Sequence, residues 1–352
     1  MIGLMPEEEN AFLIRGRLHE ALGDDQAAEQ DYEVVTGLNP FNEQAYLQLG
    51  TLYIAREQPD KAIELFDEAI ELKPEFARAY SERGRAKLMK GDKNGSVEDL
   101  KKALRKDTIL VSVMYVNNEI GAAEPIDEIS AIIKEKSPKA LFHVDAIQAY
   151  GKYQIRPKKQ GIDLLSVSGH KIHGPKGAGF LYINEKAKVR PLILGGGQQK
   201  NMRSGTENVP GIAGLGQAAK EAYTGFEDKI SHLCGLKDYF TDQVSQLEGV
   251  VVNSKKGLDS APQIASVSFK GVRSEVLLHA LEDKGIYVSS GSACSSNHPA
   301  ISGTLKSIGV GREYLDATLR FSFGRFNTME EIDICIEALK ELLPVLRRYQ
   351  RG

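Results

Sequence analysis

Three polar clusters stand directly behind short apolar runs. Asn117 and Asn118 follow Ile109–Met114 (ILVSVM), Asp145 ends Leu141–Asp145 (LFHVD), and Ser168, His170 and Lys171 follow Leu164–Val167 (LLSV). Between them they offer amides, a carboxylate, a hydroxyl, an imidazole and an amine, a set that can bind an anion, move protons and attack a carbonyl. Each cluster alone has a plainer account: turn amides, a helix N-cap at Asp145, a solvated turn at Gly169-His170-Lys171. Their recurrence at three consecutive strand ends points to one shared site, because open α/β sheets bind ligands outside the carboxyl ends of their strands. Two residues further on add chemistry of their own. Cys294 lies in a run of small residues, Val288–Ser296 (VSSGSACSS), the composition a travelling loop requires, whereas Cys234 and Cys335 fall in helical patterns and read as inert core thiols. Arg320 carries a planar two-donor fork that suits a carboxylate, and equally suits a structural ion pair.

The elements that must hold these residues alternate. Gly179–Ile183 (GFLYI) reads as a fourth strand, and Ile126–Lys136 as a helix between the first two. The alternation implies an α/β domain with a mostly parallel sheet. After a long helical stretch at Phe226–Leu247, strands at Ile264–Phe269, Ile286–Ser289 and Thr318–Phe323 and a closing helix at Glu330–Arg347 predict a smaller α+β domain. The expected division is 1–107, 108–222 and 223–352.

The totals narrow the class. At 352 residues the chain suits two or three domains. A net charge of −3 suggests neither a nucleic-acid footprint nor a polybasic membrane surface. Apolar runs are far shorter than the ~20 residues that span a bilayer. The start, MIGLMPEEENAFLIRGR, lacks the pattern of a secretory signal. Three dispersed cysteines, with no CxxC pair, argue against a disulfide framework or a metal site and fit a reducing cytoplasm.

Ahead of Thr108 the pattern is a repeat. Pro40 and Pro74 close helical segments 34 residues apart, the tetratricopeptide (TPR) period. The middle unit carries Tyr46, Leu49, Gly50 and Tyr53 on one helix and Ala62, Phe66 and Ala69 on the next. One period earlier stand Phe12, Gly16, Ala28 and Tyr32; one period later, Tyr80, Gly84, Ser96, Leu100 and Ala103. Small residues let paired helices approach and aromatics fill the layer between repeats. The segment resembles a TPR solenoid of about three repeats, which implies an unidentified protein partner.

The remainder resembles class I cysteine desulfurases. Val111–Gly121 (VSVMYVNNEIG), His143–Gln148 (HVDAIQ), Ser166–Tyr182 (SVSGHKIHGPKGAGFLY), Gly195–Val209 (GGGQQKNMRSGTENV), Val288–Ser296 and Arg320–Thr328 (RFSFGRFNT) resemble six of that family's motifs in order. The resemblance implies the type I fold of pyridoxal 5'-phosphate (PLP) enzymes and a homodimer. It makes Lys171 the residue that holds PLP covalently and shuttles a proton, and Asp145 the partner of the ring nitrogen. Gln148 and Asn118 resemble donors to the PLP phenolic oxygen and to substrate, Ser168 and His170 phosphate ligands, and Thr206 a ligand to the neighbouring subunit's phosphate. Cys294 resembles the nucleophile that becomes a persulfide, and Arg320 the clamp on the carboxylate of L-cysteine. A sulfur-acceptor protein, for iron–sulfur clusters or thiolated nucleotides and cofactors, is then the implied partner.

Full-length members of that family carry roughly one more third of chain before the point matching Thr108. That part holds a phosphate-binding turn with a threonine and a histidine that stacks on the PLP ring, and the repeats contain no replacement for either. The helix Val97–Lys106 (VEDLKKALRK) is expected to serve both modules. An unpaired sheet edge and an uncovered apolar face should follow. Two functional readings result: a PLP-dependent desulfurase with repeats that recruit the sulfur acceptor, or a TPR interaction protein carrying an impaired desulfurase remnant.

Overall fold

The computed structural model describes residues 8–56, 58–90, 92–290 and 302–349. By proximity along the fold the chain divides into two compact units, one running to Asp107 together with Lys306–Val310, the other holding Thr108–Leu305 and Gly311 onward.

The first unit is built from three helical pairs: α1 (Glu9–Leu22) with α2 (Asp25–Leu38), α3 (Glu43–Ala55) with α4 (Pro59–Leu72), and α5 (Ala77–Met89) with α6 (Lys93–Ala103). Asp24, Asn42 and Asp92 start α2, α3 and α6 by accepting backbone N–H groups of the first turn. Within the first two pairs a glycine lies under an aromatic ring. A Cβ on Gly16 would come 2.5 Å from the Tyr32 ring, and one on Gly50 2.5 Å from that of Phe66. Between pairs the seams are apolar: Ala28, Tyr32 and Val35 of α2 pack with Ala45, Leu49 and Leu52 of α3, and Phe66 and Ala69 of α4 with Ala79 and Ala86 of α5. Glu29 of α2 also accepts from Tyr53 of α3 (2.7 Å) and from Arg56 at the end of that helix (2.5 Å).

The second unit opens with the sheet β1 (Leu110–Met114), β2 (Leu141–Asp145), β3 (Leu164–Ser168) and β4 (Gly179–Ile183), in that spatial order. The first three strands are parallel and β4 is antiparallel. Between strands lie α7 (Ile126–Lys136) and the single turn α8 (Pro157–Gln160). One face, with Val111, Val113, Phe142, Val144, Leu165 and Val167, is the more deeply covered; the other, with Leu110, Ser112, Met114, His143, Asp145, Ser166 and Ser168, is more open. Among the described residues β1 has β2 as its only strand neighbour, so its outer edge is unpaired, with Leu110 and Met114 exposed beside it.

Two helices, α9 (Val209–Tyr223) and α10 (Phe226–Val244), lead to an antiparallel sheet ordered β5 (Val250–Val252), β6 (Ile264–Phe269), β8 (Thr318–Ser322), β7 (Ser289–Ser290). Helices α10, α11 (Ser274–Glu282) and α14 (Met329–Leu346) bury Phe240, Leu277, Leu281, Ile336 and Leu339 against Val267, Phe269, Leu319 and Phe321. The short helices α12 (Gly303–Ser307) and α13 (Arg312–Leu315) precede β8. Residues Ser266 and Ser268 of β6 are fully buried and satisfied by Asn253 and Thr318.

Most expected elements differ from the structure by no more than three residues at an end and overlap it over most of their length, and two differ more. The strand expected over Ile286–Ser289 is only Ser289–Ser290, paired with β8. The strand β5 has no counterpart in the sequence pattern. The helix expected over Val97–Lys106 runs instead from Lys93 to Ala103, because Leu104 turns to an extended conformation.

Candidate active site

Lys171 stands on a 3-10 turn, Gly169–Ile172, directly behind β3. The turn is pinned from both sides. Gly169 N–H donates to Ala178 O (2.8 Å) and Gly174 N–H to Gly169 O (2.9 Å), while Ile172 is buried with Leu215 and Ala218 of α9. The following residue, His173, closes the turn in the left-handed region at φ 66°. His170 and Lys171 are left exposed on a rigid support, and Lys171 takes no partner among the described residues.

Asp145 ends β2 in register with Met114 of β1 and Ser166 of β3. Its Oδ1 accepts the Ile147 N–H at 2.9 Å. This is an Asx turn rather than a helix cap, and it engages one carboxylate oxygen only. One register step below, His143 bridges three strands, its Nδ1 2.7 Å from Ser112 Oγ and its Nε2 2.8 Å from Ser166 Oγ. Nothing in the residue type of His143 announces this role; its signal is a polar residue on the same face of each of three neighbouring strands.

The loop after β1 is fixed by Asn117, whose Oδ1 accepts from Glu119 N–H (2.9 Å) and Ile120 N–H (3.0 Å). Gly121 adopts φ 76° and a Cβ there would press on Ser260 Oγ and Ile264, so the loop lies tightly on the smaller sheet. Ser254 Oγ donates to Ile120 O (2.6 Å) and Ala261 N–H to Gly121 O (2.7 Å). The result is that Arg320, on β8, reaches the loop: its Nη1 donates to Asn118 O at 2.9 Å and its Nη2 to Ser289 Oγ at 3.3 Å. Gln148 joins through its backbone, where its carbonyl accepts from Gln263 Nε2 at 3.0 Å.

The fold therefore sets Asn118, Asp145, Ser168 and Lys171 at the carboxyl ends of three neighbouring strands and ties Arg320 to the first of these loops. Thr206 lies apart in an exposed stretch between the turn Gln198–Asn201 and α9. Cys294 lies outside the described residues. The other two thiols are held inert by burial, which raises Cys234 above its ordinary range and pushes Cys335 up to about 12.

A family model described as aminotransferase class V matches residues 77–335, and one described as tetratricopeptide repeat matches residues 43–76. The class V match thus begins at the first residue of α5 and takes in the third helical pair. Cysteine desulfurase IscS of Dictyoglomus turgidum is 42% identical over 259 residues, which is 73% of this chain and 65% of that protein. Cysteine desulfurase IscS of Methanosarcina thermophila is 43% identical over 258 residues, 73% of this chain and 63% of that protein. A solved NifS-like protein is similar at a TM-score of 0.65 and 37% identity, covering 71% of this chain and 65% of its own. The chain spans less than two thirds of the length of each.

Proposed function

Since the chain belongs to the class V aminotransferase family, we propose that it is a PLP-dependent cysteine desulfurase that converts L-cysteine to L-alanine and holds the sulfur as a persulfide on Cys294. The observation that carries this reading is the gathering of Asn118, Asp145, Ser168 and Lys171 at three strand ends, with Arg320 bonded into the same loop.

The donor set fits PLP. Lys171 offers an amine without a competing partner among the described residues, and the Asx turn leaves one Asp145 oxygen for an N–H donor such as a pyridinium nitrogen. Ser168 and His170 supply a hydroxyl and an imidazole for a phosphate. When bound, the cofactor supplies an electron sink for the substrate carbons. Lys171 takes the proton from the substrate Cα, and the anionic Asp145 favours the protonated ring nitrogen. Arg320 orients the substrate through its carboxylate, while Asn118 and Gln148 contribute amides. Cys294 attacks as thiolate: the substrate Cβ–S bond breaks, an S–S bond forms on Cys294, and alanine departs. The balance is closed, since L-cysteine and enzyme thiol give alanine and enzyme persulfide. The protein acts in the cytoplasm as a homodimer in which Thr206 serves the neighbouring subunit, and its repeats recruit the sulfur acceptor.

A second reading, a TPR interaction module with an impaired catalytic remnant, is favoured by the unpaired edge of β1 and the more open sheet face. Visible absorption of the protein after addition of PLP and removal of the excess, beside Lys171→Ala, separates the two. A yellow band present in the parent and lost in the variant supports the enzyme; assay of alanine and persulfide from L-cysteine then follows. No band in either protein overturns the enzyme reading.

A further inference from the structure

Arg320 is anchored at both ends of its fork. Its Nη1 donates to Asn118 O at 2.9 Å, and its Nη2 donates to Ser289 Oγ at 3.3 Å. The two acceptors come from different parts of the second unit. Asn118 lies in the loop behind β1, and Ser289 lies on β7, directly opposite Arg320 in the ladder with β8. Residues opposite each other in an antiparallel pair share a face of the sheet, so the two side chains are neighbours by construction. One N–H on each terminal nitrogen is thereby committed to the protein, out of the five that a guanidinium carries. A single anchor lets the planar group swing about it; two fix its plane.

The anchors differ in kind. Asn118 offers a backbone carbonyl, and its loop is already held by the bonds of Asn117, Ser254 and Ala261. Ser289 offers a side chain, on a strand of two residues whose only strand neighbour among the described residues is β8. Both acceptors are neutral, so they orient the guanidinium without cancelling its charge. A carboxylate at position 289 would instead form an ion pair with Arg320 and compete with an incoming anion. Alanine there would remove the second anchor.

We propose that Ser289 is a positioning residue: its hydroxyl fixes the plane of the Arg320 fork and so sets how tightly the site holds a substrate that bears a carboxylate. The inference deepens the desulfurase reading and rests on it for the identity of that substrate.

The full chain is compared with Ser289→Ala and with Ser289→Thr, which keeps the hydroxyl. Nitrogen NMR of the arginine side chains, in protein without added PLP, reads the anchoring, and Arg320 is identified by the signals lost in Arg320→Ala. A guanidinium held at both ends turns slowly about its C–N bonds. The parent and Ser289→Thr should therefore show separate Nη signals for Arg320, and Ser289→Ala a merged one. Steady-state kinetics after PLP loading read the consequence. KM for L-cysteine should rise about 10-fold in Ser289→Ala, the low end for a hydrogen bond to a charged group. The kcat should stay near the parent's, because a carboxylate is held equally before and during the reaction. Ser289→Thr should restore KM, which a general loosening of β7 would not produce. Unchanged Nη signals in Ser289→Ala, or a loss confined to kcat, overturns the proposal. A parent that turns over no L-cysteine overturns the desulfurase reading instead, and the role of Ser289 is then decided by titrating sodium acetate against the same Nη signals. Binding about 10-fold weaker in Ser289→Ala supports it, and equal binding overturns it.

Discussion

Arg320 and Asn118 lie 202 residues apart in the chain, and the guanidinium of one donates to the backbone carbonyl of the other at 2.9 Å. Since β8 belongs to the smaller sheet and Asn118 to the loop behind β1, this bond ties a candidate carboxylate clamp to the cluster of strand ends. Replacing Arg320 by Ala should lower kcat/KM for L-cysteine about 10- to 100-fold, the value of a charge-assisted hydrogen bond. Arg320→Lys should recover only part of it, because a point charge does not reproduce the fork. Steady-state kinetics of both variants is the check, and equal activity of parent and Arg320→Ala would remove the clamp role.

Cys294→Ala should retain whatever PLP absorbance the parent has and lose persulfide formation to background. Persulfide labelling after mixing with L-cysteine reads this directly. Persulfide at the parent's rate would exclude Cys294 as the nucleophile.

Among the described residues Lys237, on α10, is the one lysine with a fully buried side chain, and its Nζ donates to Ala261 O at 3.0 Å. Burial lowers its pKa to about 8. A folded value below the unfolded one, ~10.4, means the folded state sheds the proton first. The penalty is therefore fully present below pH ~8, and stability attributable to this group rises between about pH 8 and pH 10.4. Lys237→Met should be more stable than the parent by about 2 kcal/mol at pH 7, with the gap closing as pH rises. Ala261 O still accepts from Ile264 N–H in that variant. Denaturant melts at pH 7 and above pH 10 provide the measurement, and a gap that widens with pH would contradict the assignment.

Gly50→Ala should destabilise the repeats. The new methyl would sit 2.5 Å from the Phe66 ring, and overpacking of this kind costs about 1–3 kcal/mol, more than the helix propensity returned. Gly37→Ala, on the same module with nothing within 4 Å of its Cβ position, should be neutral or stabilising by up to about 1 kcal/mol. Thermal melts that fall for Gly50→Ala and hold for Gly37→Ala are expected.

What the sequence made legible follows from period. Leu141–Asp145, Gly179–Ile183, Ile264–Phe269 and the helix Ile126–Lys136 have the expected bounds, because each is long enough for its apolar spacing to declare itself. The strands β5 and β7, with three residues and two, are too short to show an alternation, and their pairing with β6 and β8 makes them strands. The buried charge of Lys237 was likewise hidden, since lysine in a helical pattern reads as a solvated face. At the strand ends, residue type announced Asp145 and Lys171. The hydroxyl–imidazole–hydroxyl bridge through His143 depends on strand order and register, which no single strand encodes.

The two units also differ in how far apart in the chain their partners lie. Each helical pair closes within one period of 34 residues, as Gly16 does with Tyr32 and Gly50 with Phe66. The smaller sheet waits much longer, because β6 needs β8, whose Arg320 pairs with Ser266. During synthesis the helical pairs can close soon after Asp107 leaves the ribosome, while β6, paired early only with the three-residue β5, stays without β8 until most of the chain is made. Local contacts form fast and distant ones slowly. The three helical pairs can thus be closed while the second unit, with the exposed edge of β1, is still passing through its most aggregation-prone interval.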